Sequence, residues 1–94
     1  MPAETRAERI RRAMEAAFAP ARVAVTDDSA HHAGHAGARP EGETHYTVEV
    51  VSPAFAGLPR LARSRAAHAA VAAEFEGGLH ALSLRLLTPE EADG

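Results

Sequence analysis

The sequence contains no cysteine among its 94 residues. The chain therefore has no disulfide, no thiolate nucleophile and no thiolate ligand for zinc, and nothing marks it as a secreted, disulfide-stapled scaffold. Long apolar runs are also missing. No stretch approaches the roughly 18 to 20 apolar residues that span a bilayer, and the N-terminal residues lack an apolar signal segment. These absences predict a soluble cytoplasmic protein with no membrane partner.

Lysine is absent as well, so all ten basic residues are arginine and the formal net charge is −3. The overall basic excess that drives binding to phosphate is therefore missing, and composition gives no reason to expect a nucleic-acid partner. The length suits one small domain, 1–94, with a single core.

The spacing of apolar residues predicts an α+β fold in the order helix, strand, strand, helix, strand. Helical spacing of Ile10, Met14 and Phe18 indicates an amphipathic helix over 4–18, and a second helix over 59–76 begins with proline and ends at a Gly-Gly pair. Alternation predicts strands over 21–28, 44–51 and 79–88, the first two paired as a hairpin. Short extra helical turns are expected at SPAFAGLP and TPEE. Helices should pack on one face of a three-stranded sheet.

A polar, glycine-rich segment over 28–43 is predicted to form a long flexible loop between the first two strands. Its HHAGHAG stretch places His31, His32 and His35 within five positions. Loops longer than about 12 to 15 residues are usually functional or disordered. The stretch is therefore a metal site, half of one, or a solvated polar loop. His32 and His35 have a spacing that could hold zinc, but an isolated pair is a weak signal.

Three further histidines lie outside this loop. His80 lies on the same face of the predicted last strand as its leucines. This residue pattern alone indicates an ordinary histidine at the edge of the core. His45, on the face opposite Tyr46, could approach His80 across the sheet, and we interpret it first as structural and second as a ligand. His68 is interpreted as helix packing. No serine or acid accompanies a histidine at the spacing of a catalytic triad, so we do not expect an enzyme.

Two features bear on nucleic-acid binding. GHAG, residues 34–37, matches the GxxG loop with which KH modules clamp a backbone, but here it joins two strands instead of two helices. Arg60, Arg63 and Arg65 form a short basic row on the long helix. This row would support weak phosphate contact at most.

Three stretches resemble the BolA family in this order and at the family's spacing: DDSAHHAGHAG, ETHYTVEVVSPAFAGL and EGGLHALSLRLLTPEE. The resemblance extends from the first helix to TPEE and implies a BolA fold similar to the class II KH module. One departure is that the family's Arg-His-Arg in the long helix is here Arg63, Ser64 and Arg65. The contact made by that helix histidine in other members is therefore in doubt for this chain.

The resemblance implies an adaptor that forms a heterodimer with a monothiol glutaredoxin and shares a [2Fe-2S] cluster with it, in iron-sulfur cluster assembly, trafficking or iron regulation. It assigns His80 and His32 as cluster ligands, with His35 and His31 as substitutes and His45 ranked below them. Two histidines can replace two cysteines on one iron of such a centre but cannot complete its coordination. A glutaredoxin cysteine and glutathione would supply the remainder, and no cluster is expected on the isolated protein.

The family resemblance also leaves an alternative function. Some BolA-like proteins are transcriptional regulators, which would bind DNA with the helical face that carries Arg60, Arg63 and Arg65. A regulator of this kind needs no cluster and no glutaredoxin, so the two functions can be distinguished by experiment.

Overall fold

A three-stranded sheet with helices on one face is the architecture seen in the computed structural model, which describes residues 4–28 and 45–94. In chain order the elements are α1 (Arg6–Ala17), β1 (Arg22–Asp27), β2 (His45–Val51), a 3₁₀ turn (Pro53–Phe55), α2 (Arg60–Ala70), α3 (Ala72–Glu76), β3 (Ala81–Leu87) and α4 (Pro89–Asp93). β2 is central, antiparallel to β1 and parallel to β3. The predicted α+β fold and element order are confirmed.

The core lies between the helices and one face of the sheet. Because side chains alternate along a strand, β2 directs Tyr46, Val48 and Val50 towards the helices, and all three are buried. From α1, Ile10 and Met14 are fully buried against them. The apolar spacing read from the sequence therefore identified the packed faces of both α1 and β2.

The long helix predicted over 59–76 is in fact two helices that meet at Val71. This residue has φ −117° and ψ 22°, so α2 ends before it and α3 begins after it. Its side chain is only 2% exposed and belongs to the core. The prediction of one continuous helix was wrong here, where the Val71 amide donates to the His68 carbonyl three residues back at 3.3 Å, the tighter bond of a 3₁₀ turn.

The short helical turn predicted at TPEE is present and is capped at its start. The Thr88 hydroxyl accepts a hydrogen bond from the Glu91 amide at 3.2 Å, and the Glu91 carboxylate accepts one from the Thr88 amide at 2.8 Å. This reciprocal capping box starts α4 directly after β3. α4 consequently turns back beside the end of the sheet.

The predicted loop over 28–43 lies outside the described residues except for Asp28, and His31, His32 and His35 lie outside them too. Of the helices that are described, none is both long and apolar enough to cross a bilayer.

Candidate functional site

Two histidine side chains lie next to each other at one end of the sheet. The rings of His45 and His80 are stacked, with centroids 6.0 Å apart and planes 27° from parallel. His45 is the first residue of β2 and pairs with Ala81, the first residue of β3. His80 directly precedes β3, so the parallel register of the two strands brings the two imidazoles together.

Each of the two histidines has a buried residue as its neighbour in the sequence. Tyr46, after His45, is 2% exposed, and Leu79, before His80, is 4% exposed. The His45 carbonyl also accepts a hydrogen bond from the Asp28 amide at 2.8 Å, which fixes the start of β2 against β1. The backbone on either side of the pair is therefore held by the core and the sheet, while His80 itself is exposed and His45 is half-buried.

A tight turn delivers Leu79 and His80 to the start of β3. Gly78 has φ +120°, a backbone conformation that residues other than glycine rarely adopt. The Leu79 amide donates to the Glu74 carbonyl at 2.9 Å and closes the end of α3. The Gly77–Gly78 pair, which the sequence predicted to end the helix, thus also positions His80.

The surroundings of His80 differ from those that its residue pattern alone indicated. Alternation placed it on the face of the leucines at the edge of the core, but β3 begins at Ala81, so the strand pattern does not extend to His80. The residue is exposed and contacts His45 instead. His45 does approach His80, which the sequence had left as a possibility.

The distance between the two rings can be compared with that of two imidazoles on a single metal. Two imidazoles bound to one metal at about 2 Å in a tetrahedral arrangement have ring centroids about 5 Å apart. The observed 6.0 Å is longer, and because an imidazole binds a metal in its ring plane, the stacked rings would have to turn before both nitrogens met one metal. No group of three or more metal-ligating side chains occurs in the described residues. The described residues therefore bring two imidazoles together and no third metal-ligating side chain.

His68 is separate from this pair and packs on its own helices. Its ring stacks on Phe75 with centroids 5.7 Å apart, and its Nδ1 lies 2.9 Å from the Ser64 carbonyl oxygen. The helix-packing interpretation is consistent with these contacts. Leu61, seven residues before His68 on the same helix, is 61% exposed.

Arg63 does not belong to an exposed basic row. The residue is 9% exposed, and its guanidinium donates to the carbonyls of Leu58 and Leu86 at 2.8 and 3.0 Å and to the Glu91 carboxylate at 2.6 Å. It also lies over the Phe55 ring, 5.8 Å from the centroid. This role was not predicted from the sequence, although Arg63 precedes the buried Ala67 and Val71 at four-residue steps, the spacing of one helix face.

The remaining members of the predicted row are Arg60 and Arg65, both exposed. Five residues apart on a helix, they point about 140° away from each other around its axis. They cannot contact one phosphate backbone together as a row. The helical face therefore offers less to DNA than the sequence suggested.

Comparison with known proteins identifies one family. A family model described as BolA-like protein matches residues 14–91. Chloroplastic BOLA1 of Arabidopsis thaliana is 38% identical over 91 residues, which cover 95% of this chain and 57% of that protein, so the chain spans little more than half of its length.

Solved structures agree with the sequence comparison. The structure of BolA1 from Arabidopsis thaliana superposes with a TM-score of 0.83 at 37% identity, covering 96% of this chain and 98% of that one. The BolA domain of SufE1 from the same plant gives a TM-score of 0.81 at 38% identity, with 96% and 99% covered. The matched family is named for BolA-like proteins and not for an enzymatic activity.

Proposed function

The chain belongs to the BolA family, and from that premise we propose that it is an adaptor that binds a monothiol glutaredoxin and shares a [2Fe-2S] cluster with it as cargo. The observation that carries this proposal is the His45–His80 pair. Two imidazoles lie side by side at an accessible end of the sheet, with the backbone of both fixed by buried neighbours.

The pair matches the donor set that such a cluster requires from one side. Two histidines can replace two cysteines on one iron of a [2Fe-2S] centre. This chain has no cysteine, so the thiolates for the second iron must come from outside it. A glutaredoxin cysteine and glutathione would supply them, and the cluster would lie between the two proteins.

His80 is the ligand common to two alternative arrangements of the site. The family resemblance assigns the second imidazole to His32, which lies outside the described residues, whereas His45 already lies beside His80. In either arrangement His80 provides a pre-positioned imidazole, because Leu79 and the start of β3 hold its backbone. Pre-positioning lowers the conformational entropy lost when the cluster binds.

The similar BolA domain of SufE1 supports a role exercised through other proteins. In that case the BolA fold is one domain of a larger named protein. A domain that can be joined to another chain is suited to bring its partner and cargo to a third component.

Anaerobic reconstitution tests this function directly. The full chain, a monothiol glutaredoxin, glutathione, iron and sulfide are combined, and visible circular dichroism follows the cluster. We expect a spectrum that differs from that of the glutaredoxin alone, together with a stable heterodimer on size-exclusion chromatography.

The matched control omits the glutaredoxin. Without it the chain should retain no stoichiometric cluster, because it contributes imidazoles and no thiolates. A stoichiometric cluster on the isolated chain, or a glutaredoxin spectrum unchanged by its addition, would contradict the shared-cargo function.

A further inference from the structure

β3 is an edge strand, and half of its backbone polar groups point away from the sheet. The sheet order is β1-β2-β3. The Ser52 amide donates to the Leu87 carbonyl at 2.9 Å, so the polar groups of Leu87 face β2. Because this direction alternates along a strand, Arg85 and Ser83 also face β2. The N–H and C=O groups of Leu82, Leu84 and Leu86 therefore face outward.

Arg63 covers one end of this open edge. Its Nη1 donates to the Leu86 carbonyl at 3.0 Å, which satisfies an outward group near the end of β3. Within the described residues, no donor or acceptor pairs with the outward groups of Leu82 and Leu84. An exposed edge of this kind is a template for pairing with another extended chain.

A groove runs alongside the open edge, between β3 and α2. It encloses about 440 Å³ and is lined by Arg60, Arg63 and Ser64 on the helix side and by residues 84–87 on the strand side. None of the lining residues is acidic. Arg63 is neutralised by Glu91, whereas exposed Arg60 has no ion pair with any described residue. The groove therefore has unneutralised positive charge at Arg60.

The geometry points to a docking site for an extended, acidic peptide segment of a partner protein, which adds to β3 as a fourth strand and places a carboxylate beside Arg60. Main-chain hydrogen bonds to Leu82 and Leu84 would provide affinity, and Arg60 would select for acidic residues. This site is independent of the His45–His80 pair and does not require a cluster.

A peptide fits this groove better than a nucleic acid does. An extended peptide presents donors and acceptors in alternation, which complements the N–H and C=O groups of an edge strand. A phosphate backbone presents acceptors only, so the outward carbonyls of Leu82 and Leu84 would face like charge. With one unneutralised arginine, the groove also lacks the basic excess that phosphate binding relies on.

Backbone amide exchange, measured by nuclear magnetic resonance on the full chain, tests the proposal. The probe is a blocked peptide of about six residues that alternates valine and glutamate. We expect the amides of Leu82 and Leu84 to exchange about tenfold more slowly at saturating peptide. The Ser83 and Arg85 amides, already bonded to β2, should change little.

Charge selectivity is tested with a glutamine peptide and two arginine variants. Replacing glutamate by glutamine in the probe should weaken binding about threefold, and Arg60→Gln should weaken binding of the glutamate peptide by a similar factor. Arg65→Gln is the matched control, because Arg65 does not line the groove, and it should bind like the parent.

Three results would overturn the proposal. The first is unchanged exchange at Leu82 and Leu84 with millimolar peptide. The second is protection of these amides that rises with protein concentration alone, which would identify a second copy of the chain as the occupant. The third is stronger protection by a short oligonucleotide than by the peptide.

Discussion

The Arg63 guanidinium and the Glu91 carboxylate form a two-point ion pair that joins α2 to α4, with Nη1–Oε1 at 2.6 Å and Nη2–Oε2 at 3.3 Å. The same guanidinium also donates to the carbonyls of Leu58 and Leu86. One side chain thus connects the helix layer, the edge of the sheet and the last helix.

Replacing Arg63 should destabilise the fold. Arg63→Met keeps the apolar stem but leaves the Leu58 and Leu86 carbonyls without their donor, and we expect a loss of about 1 to 3 kcal/mol in the free energy of unfolding. Urea denaturation measures it. Arg60→Met is the matched control, because exposed Arg60 should change stability by about 0.5 kcal/mol or less. Equal effects of the two substitutions would contradict a structural role for Arg63.

The stability of the protein should fall in acid as Glu91 is protonated. Hydrogen bonds from Arg63 and then from the Thr88 amide lower the pKa of Glu91 from 4.5 to about 2. A pKa that is lower in the folded state stabilises the fold above the unfolded value, and this contribution disappears as pH falls from 4.5 towards 2. The midpoint of urea denaturation should therefore decrease across this range.

Substitutions in α4 distinguish the contribution of Glu91 to the pH dependence of stability from that of the other carboxylates. Glu91→Gln should reduce the dependence of stability on pH below 4.5 without abolishing it, since hydrogen bonds from Arg9 and Arg6 also lower the pKa of Glu74. Glu90→Gln removes a neighbouring carboxylate that forms no ion pair within the described residues, and it should retain the acid dependence of the parent. A Glu91→Gln protein with an unchanged pH profile would count against the assignment.

The histidines should differ in their effect on the shared cluster. His80→Ala should abolish the visible circular dichroism of the complex with glutaredoxin, because it removes the common ligand. His32→Ala should leave an altered cluster that is lost faster, since His45 already lies beside His80 and can take the vacant position. The double variant His32→Ala/His45→Ala should lose the cluster faster than His32→Ala alone, with only His31 and His35 left as substitutes.

Two controls accompany the histidine variants. His68→Ala should leave the spectrum and cluster lifetime unchanged, because His68 packs on Phe75 and not against the pair. Far-ultraviolet spectra should show that His80→Ala remains folded, as expected for an exposed side chain. A folded His80→Ala protein with the parent's spectrum would remove His80 from the site.

Ser52 should be the most sensitive serine in the sheet region. Its side chain is fully buried, and its hydroxyl donates to the Phe18 carbonyl at 2.6 Å and accepts from the Ala54 amide at 3.0 Å. Ser52→Ala leaves both groups unpaired and should cost about 1 to 3 kcal/mol of unfolding free energy. Ser83→Ala, at an exposed position of β3, should be nearly neutral in the same urea experiment, and the proposed role fails if the order is reversed.

DNA binding should be weak if it occurs. With Arg63 engaged internally and Arg60 and Arg65 on different sides of α2, we expect half-saturation above about 10 μM duplex at physiological salt. Fluorescence anisotropy across a salt series measures both affinity and salt dependence. Tight, sequence-selective binding would instead favour the regulator function.

The local elements of this fold were predictable from the amino-acid pattern alone. Alternation identified all three strands, and the spacing of Ile10 and Met14 identified the buried face of α1. The capping box at Thr88 was also readable, because both of its partners lie within one turn. These features depend on side chains that are close in sequence, so a single chain contains the information needed to predict them.

Contacts between distant groups depend on the assembled fold. In the sequence, Arg63 resembles an exposed helix arginine. Only the folded structure brings it to Glu91 of α4, 28 residues later, and shows that it is buried. Val71, whose side chain is buried in the core, interrupts the long helix with one tighter backbone turn. The approach of His45 to His80 was anticipated, but their stacked geometry depends on the parallel register of β2 and β3. Register is set by the packing of the whole sheet on its helices. It depends on many contacts between residues far apart in sequence, which a local pattern does not reveal.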